Sequence, residues 1–296
     1  MYITHVFGAS TPTGISLKKE VHLNKLSDNF YFYSRNGKNN RFVDLNESSS
    51  FIPAEFNTPS IWLSFAPCWL FSKFMLEIYD NSPNLLKEVK LLVVCTSTSL
   101  LTKKYATNEY DKSLIDKLKK AESNLVELSN KLNCSLRIIR PTLIYGNIGE
   151  NKDKNISQIL SIMRKTPFLI IPKRTGLRQP IHFSQLSMVS FFLIKNFTKN
   201  PSKYRTIESL NIGGDEELRF SEILERLKKF SQKKDKAKNC KIFFIPNSLF
   251  YRLILIVGFF SPKYFEMMNR ITVDMSGFKQ VSKIMKLPIS SFPLKK

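Results

Sequence analysis

The sequence predicts an α/β fold in which a mostly parallel β-sheet is covered by helices on both faces. Apolar runs alternate with amphipathic stretches along the chain, which is the pattern of successive β–α–β units. The first unit is the clearest, because the apolar run 2–7 leads into a glycine-containing loop and then into a segment with helical spacing, 15–26. At 296 residues the chain suits one such domain, or one with a smaller appendage.

The later elements follow from the same patterns. Short apolar runs predict further strands at 29–34, 41–43, 60–65, 89–95 and 135–139. A helix is predicted at 111–132, where leucines and an alanine recur at helical spacing and charges occupy the opposite face. On that helix, Lys120 and Glu122 are interpreted as ordinary surface residues.

Composition limits the classes of function. The formal charge is +22, but 34 of the 46 basic residues are lysine and no nucleic-acid motif accompanies them, so we expect no nucleic-acid partner. The basic run 226–241 is interpreted as a solvated helix end and a loop. Four separated cysteines and three lone histidines lack metal-ligand spacing. The first strand begins at once, without a cleavable signal pattern, and we expect a cytoplasmic protein.

The loop from Gly8 to Gly14 predicts a nucleotide site. A strand, a glycine loop and a helix in this order direct backbone amides and the positive end of the helix at a dinucleotide pyrophosphate, as in a Rossmann unit. The loop follows the spacing of three glycines, except that Thr11 stands at the middle position. Its hydroxyl is a candidate to bind a phosphate oxygen in place of the missing backbone approach.

The end of the second predicted strand indicates which dinucleotide is bound. An acidic residue there binds the ribose 2′-hydroxyl of NAD, whereas an arginine accommodates the 2′-phosphate of NADP. This chain has Ser34 and Arg35 and no acidic residue within reach. The sequence therefore favours NADP over NAD, with the alternative that Arg35 is a solvated loop residue.

The stretch 243–268 is unusually apolar, above all from Leu253 to Phe260. Arg252 interrupts it, and it falls short of the ~20 apolar residues that a spanning helix needs. Two alternatives stay open. A buried helix of a substrate domain is favoured, and a helix lying on an anionic membrane surface beside the basic run is the second.

Five motifs carry a resemblance to a known family. After the glycine loop come RPTLIYG at 140–146, GLRQPIH at 176–182, NIGG at 211–214 and RITVD at 270–274. In order and spacing, the chain resembles the extended short-chain dehydrogenases, in particular the NAD-dependent epimerases and dehydratases of nucleotide sugars. The resemblance implies a doubly wound parallel sheet with a smaller, interleaved C-terminal substrate domain. It divides the chain into a dinucleotide region, 1–146 with 176–200, and a substrate region, 147–175 with 201–296.

The resemblance also implies a set of cofactor-binding residues around NAD or NADP. Asp44, followed by Leu45, matches the position that binds the adenine, and Ala66 matches the turn that lines the cofactor. Pro141 and Thr142 match the turn beside the nicotinamide. The full set is Gly8, Ser10, Thr11, Thr13, Gly14, Arg35, Asp44, Leu45, Ala66, Pro141 and Thr142.

The family's catalytic set is only partly present. Ser97 and Thr98 match its Ser/Thr segment, with Ser97 the better candidate to bind the reacting oxygen. Its tyrosine, which carries the proton during hydride transfer, and the lysine that lowers the pKa of that tyrosine fall on Leu114 and Leu118. Either another group supplies the acid or base, with Tyr105, Tyr110 and Tyr145 nearest in sequence, or the protein is a non-catalytic NAD(P)-binding scaffold or assembly factor.

On the substrate side, Arg178 matches the arginine that binds the diphosphate of a nucleotide sugar. Asn155 and Lys154 are lesser candidates, and His182 is interpreted as a core residue. The substrate implied is a nucleotide sugar or, if the chain touches the inner face of a membrane, a polyprenyl-linked sugar. Surface-polysaccharide synthesis is the setting that the resemblance suggests.

Overall fold

The computed structural model describes residues 2–37, 39–55, 57–104, 106, 108–149, 151, 153, 155–204 and 206–294. The chain divides into two compact units. The first comprises Met1–Leu100, Ile115–Pro141 and Phe183–Asn211, and the second comprises Leu101–Leu114, Thr142–His182 and Ile212–Lys296. The assignment of the two regions to cofactor and substrate stays a prediction.

The first unit contains most of the large sheet. Its strands are β1 (Ile3–Phe7), β2 (Phe30–Ser34), β3 (Arg41–Phe42), β4 (Ser60–Ser64), β5 (Val89–Cys95), β6 (Ser135–Pro141) and β11 (Ile207–Gly213), whose last two residues belong to the second unit. Their order is β3-β2-β1-β4-β5-β6-β11, and the pairings from β3 through to β6 are parallel. The strand order reverses beside β1, so the doubly wound parallel sheet predicted from the sequence is confirmed.

The helices that accompany these strands are α1 (Pro12–Leu23), α2 (Cys68–Asn81), α3 (Ser99–Thr102), α4 (Glu109–Lys131) and α6 (Phe183–Lys199). The units divide within α3 and α4. Helix α1 begins three residues earlier than predicted, because Thr11 caps it and Pro12 occupies its first position. The core beside β1 is aromatic, with the rings of Phe7 and Trp62 5.1 Å apart and both side chains buried.

The second unit is built from short strands and helices. Its strands are β7 (Ile144–Tyr145), β8 (Phe168–Pro172), β9 (Leu177–Arg178), β10 (Ile181–His182), β12 (Leu218–Arg219), β13 (Lys241–Ile245) and β14 (Lys279–Gln280). Its helices are α5 (Ile156–Lys165), α7 (Phe220–Phe230), α8 (Asn247–Phe260), α9 (Pro262–Asn269) and α10 (Val281–Met285). Pairs β7–β10 and β8–β13 are parallel, β9–β12 is antiparallel, and β14 pairs with the end of β11.

The prediction that the apolar stretch 243–268 is a buried helix is wrong for α8. Phe250 and Ile254 are buried, but Leu249, Tyr251, Leu253, Leu255, Ile256 and Phe259 are all exposed. Only one stripe of α8 packs on the unit, so its remaining apolar side chains face solvent. Among the described residues, no helix combines the length and the apolar character needed to cross a membrane. The basic run 226–241 has the predicted form, a helix end followed by a loop with exposed lysines.

Candidate functional site

The glycine loop leaves no room for side chains at its two ends. Gly8 follows β1 with φ +73°, and a Cβ there would lie 2.5 Å from the Ala66 backbone nitrogen. At Gly14 a Cβ would lie 2.7 Å from the Ala9 Cα, inside any van der Waals contact. Glycine is therefore required at both positions, and Ala66 in the turn after β4 is buried against the loop.

The Thr11 side chain forms hydrogen bonds with both ends of the glycine loop. Its hydroxyl donates to the Gly8 carbonyl at 2.8 Å and accepts from the Gly14 amide at 3.1 Å, which makes it the N-cap of α1. Pro12 has no N–H, so the first turn of α1 presents few donors. The amides of Ser10 and Thr13 donate to no described residue. They are the donors that this loop offers to an anion.

Two predicted cofactor residues lie on the segments that follow β2 and β3. Arg35 is exposed, and its guanidinium has no hydrogen-bond or ion-pair partner among the described residues. Asp44 is half-buried, and one carboxylate oxygen accepts the backbone and side-chain N–H of Asn46 at 3.0 and 2.9 Å. These bonds, with a smaller effect of Arg35, lower the pKa of Asp44. Leu45 beside it is half-buried.

Ser97 and Thr98, which follow β5, have different environments. Thr98 is buried, and both its amide and its hydroxyl donate to the Pro141 carbonyl at 3.1 and 3.0 Å. It therefore ties the ends of β5 and β6 together. Ser97 is half-buried, and its hydroxyl donates to the Ser99 hydroxyl at 3.0 Å while accepting the Ser99 amide. Sequence reasoning did not single out Ser99, which orients Ser97.

The buried Glu122 and the half-buried Arg140 form an ion pair next to this segment. The Arg140 guanidinium donates to both carboxylate oxygens of Glu122, with Nε at 2.9 and 3.2 Å. Thr96 donates its hydroxyl to the same carboxylate at 2.8 Å, and Arg140 also reaches Asn211. The expectation that Glu122 is a surface residue is wrong, because position 122 lies on the buried stripe of α4 with Leu118 and Leu125.

Two of the three tyrosines nearest in sequence to the predicted catalytic positions are described. Leu114 is half-buried and Leu118 is only 2% exposed, so both lie on the apolar side of α4. The Tyr145 hydroxyl accepts the Leu294 amide at 2.9 Å, and burial raises its pKa to about 12. Tyr110 is 68% exposed on α4. Tyr105 lies outside the described residues.

Arg178, in the second unit, is buried among main-chain carbonyls. Its Nη1 donates to Leu177 at 2.7 Å and to Val273 at 2.6 Å, and its Nη2 donates to Arg270. Burial lowers its pKa to about 10, opposed by the charge of Asp274 and assisted by that of Arg270. Because its carbonyl partners carry no formal charge, the guanidinium remains a net positive centre. Part of its donor capacity is used to hold the segment 270–273.

The other predicted residues of the second unit belong to local structure. Thr142 donates its hydroxyl to the Gln179 carbonyl and its amide to Ile212 at 2.9 Å. Asn155 is exposed before α5, and its side chain donates to the Ile144 carbonyl at 3.0 Å. His182 is half-buried with its ring 5.1 Å from Tyr145, in keeping with a packing role. Lys154 lies outside the described residues.

The first unit thus brings several residues predicted to bind the cofactor, and the predicted catalytic Ser97, to one edge of the sheet. The loops after β1, β4, β5 and β6 leave the carboxyl ends of adjacent parallel strands, and they carry Gly8, Ala66, Ser97 and Pro141. Ligands of open α/β sheets bind at such an edge where the strand order reverses. Among the described residues, no group of histidines, cysteines and carboxylates could hold a metal ion.

The chain is similar to known proteins in structure but not in sequence. No family model and no curated protein matches the chain. The crystal structure of the protein gox2253 is 14% identical and has a TM-score of 0.65, covering 96% of this chain and 91% of its own. MoeE5, solved in complex with UDP-glucose and NAD, is 14% identical with a TM-score of 0.59 and covers 98% and 94%. A GDP-mannoheptose C4 reductase from Campylobacter jejuni, with NADP bound, is 14% identical with a TM-score of 0.55 and covers 83% and 87%.

These likenesses extend over most of both chains. At such low identity they establish the fold. The chain therefore has the Rossmann-like α/β fold of these solved structures, which include a UDP-galactose 4-epimerase and a nucleotide-sugar reductase.

Proposed function

We propose that this protein binds NAD or NADP at the loop after β1. The observation that carries the proposal is the loop itself, where two glycines allow a tight turn into α1 at the reversal of strand order. The amides of Ser10 and Thr13 fit the pyrophosphate, because they point from a helix N-terminus and have no described acceptor. MoeE5 and the Campylobacter jejuni reductase hold NAD and NADP respectively in the same fold.

NADP is the favoured dinucleotide. Arg35 stands at the end of β2 with its guanidinium exposed and without a described partner, so it is available to a 2′-phosphate. The carboxylate of Asp44 uses one oxygen for Asn46, which leaves the other for the adenine amino group. The alternative is that Arg35 is solvated and contacts no ligand. If Arg35 binds the 2′-phosphate, its removal should weaken the binding of NADP and not that of NAD.

The reaction class proposed is hydride transfer at a carbon of a nucleotide sugar, or of a sugar linked to a polyprenyl diphosphate. The dinucleotide, when bound, supplies the hydride acceptor or donor. The Ser97 hydroxyl, held by Ser99, would bind the reacting oxygen, and Thr98 and Pro141 would hold that segment at the sheet edge. The net positive charge of Arg178 suits a diphosphate, with Asn155 a lesser contact.

A second function, a non-catalytic NAD(P)-binding scaffold or assembly factor, is favoured by one specific observation. Leu114 stands where the family's proton-carrying tyrosine would be, and the buried Leu118 stands in place of the lysine that lowers the pKa of that tyrosine. A leucine side chain cannot move a proton, and Tyr145 has a pKa near 12. Cofactor binding without turnover would support this second function.

Turnover separates the two functions. Purified protein is incubated with NADP or NAD and a panel of UDP- and GDP-sugars, and products are identified by mass spectrometry. If the protein is an enzyme, Ser97→Ala should lower kcat by about 10²–10³-fold, as for other donors to a reacting oxygen. Wild-type protein that binds the dinucleotide but converts no sugar would refute the catalytic proposal and support the scaffold.

Restoring the missing pair gives a further discrimination. In an enzyme that uses another acid or base, Leu114→Tyr with Leu118→Lys should create no new activity and should destabilise the apolar face of α4. Activity that appears only in this double variant would identify the wild type as a protein that has lost catalysis.

A further inference from the structure

Helix α8 exposes an unusual amount of apolar surface for a surface helix. Phe250 and Ile254 anchor it to the second unit, while Leu255 and Phe259 are 64% and 88% exposed. Leu249, Tyr251, Leu253 and Ile256 are exposed as well. Soluble monomers rarely present contiguous apolar patches of this kind unless the patch binds something.

The two-stranded ladder of β8 and β13, which precedes α8, also exposes apolar side chains. The register pairs Lys241 with Phe168 and Phe243 with Ile170, which puts Phe168, Ile170 and Phe243 on one face. All three are exposed, and the rings of Phe168 and Phe243 lie 5.8 Å apart. The opposite face of the ladder carries Ile171, which packs into a core with Met163 and Leu224.

Hydrogen bonds join the ladder and the helix at one place. Strand β13 ends at Ile245, and after Pro246 the next residue is the first of α8. Asn247 accepts the Arg174 amide and donates to the Arg174 carbonyl, both at 3.0 Å, and Lys173 donates its amide to Ile245 at 2.9 Å. The end of β8, the end of β13 and the start of α8 thus form one junction. We call the exposed apolar residues of the ladder and of α8 the apolar surface.

The charge around the apolar surface is strongly positive. Between residues 226 and 260 there are nine basic residues and a single acidic one, Asp235. That carboxylate accepts from Arg164 at 2.9 and 2.7 Å, so its charge is already compensated. Lys173 and Arg174 at the junction are exposed, as are Lys238 and Lys241 before and at the start of β13. These positively charged side chains beside the apolar residues complement an anionic surface.

We propose that the apolar surface docks this protein on an anionic phospholipid bilayer, with α8 lying in the interface and its flanking lysines against the head groups. Large apolar side chains beside lysine and arginine are the composition of interfacial helices. At 14 residues α8 is about 21 Å long, shorter than the hydrocarbon core, which suits a helix that lies on the membrane. A second copy of the chain would bring two positively charged rims together, so the charge opposes self-association there.

Vesicle flotation tests the proposal without reference to any enzymatic activity. Full-length protein is mixed at low salt with vesicles of phosphatidylcholine and phosphatidylglycerol, or of phosphatidylcholine alone. We expect it to float with the anionic vesicles and to stay largely at the bottom with the neutral ones. Leu255→Ser with Phe259→Ser should lower the partition coefficient by about tenfold or more, because two exposed apolar side chains no longer insert.

Matched controls separate insertion from general apolarity and charge. Leu23→Ser and Ile289→Ser also remove exposed apolar side chains, which belong neither to the ladder nor to α8, and should leave partitioning unchanged. Lys238→Gln and Lys241→Gln should each weaken anionic binding about fivefold. The same change at Lys117 and Lys120, exposed on α4, should have a much smaller effect.

Two results would overturn the proposal. Wild-type protein that stays at the bottom with both kinds of vesicle at low salt excludes the bilayer. A concentration-dependent dimer that Phe259→Ser dissolves, without flotation, would assign the apolar surface to a second copy. Dinucleotide binding is measured separately by calorimetry, so failure of membrane docking leaves the proposed cofactor site untouched, and the reverse also holds.

Discussion

Removing the Glu122 carboxylate should destabilise the first unit far more than removing an exposed carboxylate from the same helix. The side chains of Glu122 and Arg140 are only 9% and 16% exposed, and the carboxylate also accepts from Thr96. In Glu122→Ala the half-buried Arg140 guanidinium keeps only Asn211 as a described side-chain partner. Breaking a buried pair in this way costs about 3–5 kcal/mol of unfolding free energy.

Helix α4 provides its own matched control. Glu127 pairs with Lys131 at 2.7 Å, but the two side chains are 64% and 46% exposed. An exposed pair at this spacing contributes only about 0.3–0.5 kcal/mol. Both alanine variants are unfolded in urea and followed by circular dichroism, and the free energies of unfolding are compared. Equal losses for Glu122→Ala and Glu127→Ala would refute the reasoning, because the pair would then contribute no more than a solvated one.

Three further predictions concern the cap, the pH dependence and the dinucleotide. Thr11→Val keeps the shape but removes the N-cap hydroxyl, and should lower the urea-derived free energy of unfolding by about 0.5–2 kcal/mol; an unchanged value would mean that the cap contributes nothing. Burial, with a smaller effect of Arg41, lowers the pKa of His5 from 6.5 to about 4, so the unfolded chain binds the extra proton between these values. The free energy of unfolding should therefore fall by up to about 3 kcal/mol as the pH drops from 6.5 to 4. His5→Gln should remove this pH-dependent loss, whereas His22→Gln, at an exposed histidine, should leave it in place. Arg35→Ala should weaken NADP binding by about 1.5–3 kcal/mol in calorimetry and leave NAD nearly unchanged, whereas equal losses would make Arg35 structural.

The parts of the fold that depend on local pattern could be predicted from the sequence. Strand β5 has the predicted bounds, Val89–Cys95, because a run that is apolar except for Lys90 is long enough for one buried strand and is flanked by polar residues. The need for glycine at Gly8 and Gly14 followed from the loop spacing, and the structure adds the contacts that enforce it.

The parts that depend on distant partners could not be predicted. The carbonyls that hold Arg178 come from Val273 and Arg270, over 90 residues away, and no local pattern indicates them. The exposure of α8 depends on how many elements pack against it, which an apolar run does not reveal. For Glu122 a signal was available, because its position on the helical stripe of Leu118 and Leu125 predicts burial.

Calorimetric titration of NADP and NAD into the purified protein tests the central claim most directly, with a matched pair of variants at Ser10. Ser10 is half-buried in the loop, and its amide is one of the two proposed pyrophosphate donors. We predict that the wild type binds one equivalent of a dinucleotide, that Ser10→Asp abolishes binding through repulsion between its carboxylate and the phosphates, and that the neutral isostere Ser10→Asn retains it. Folded wild-type protein that binds neither dinucleotide, or Ser10→Asp that binds as well as Ser10→Asn, would contradict the account.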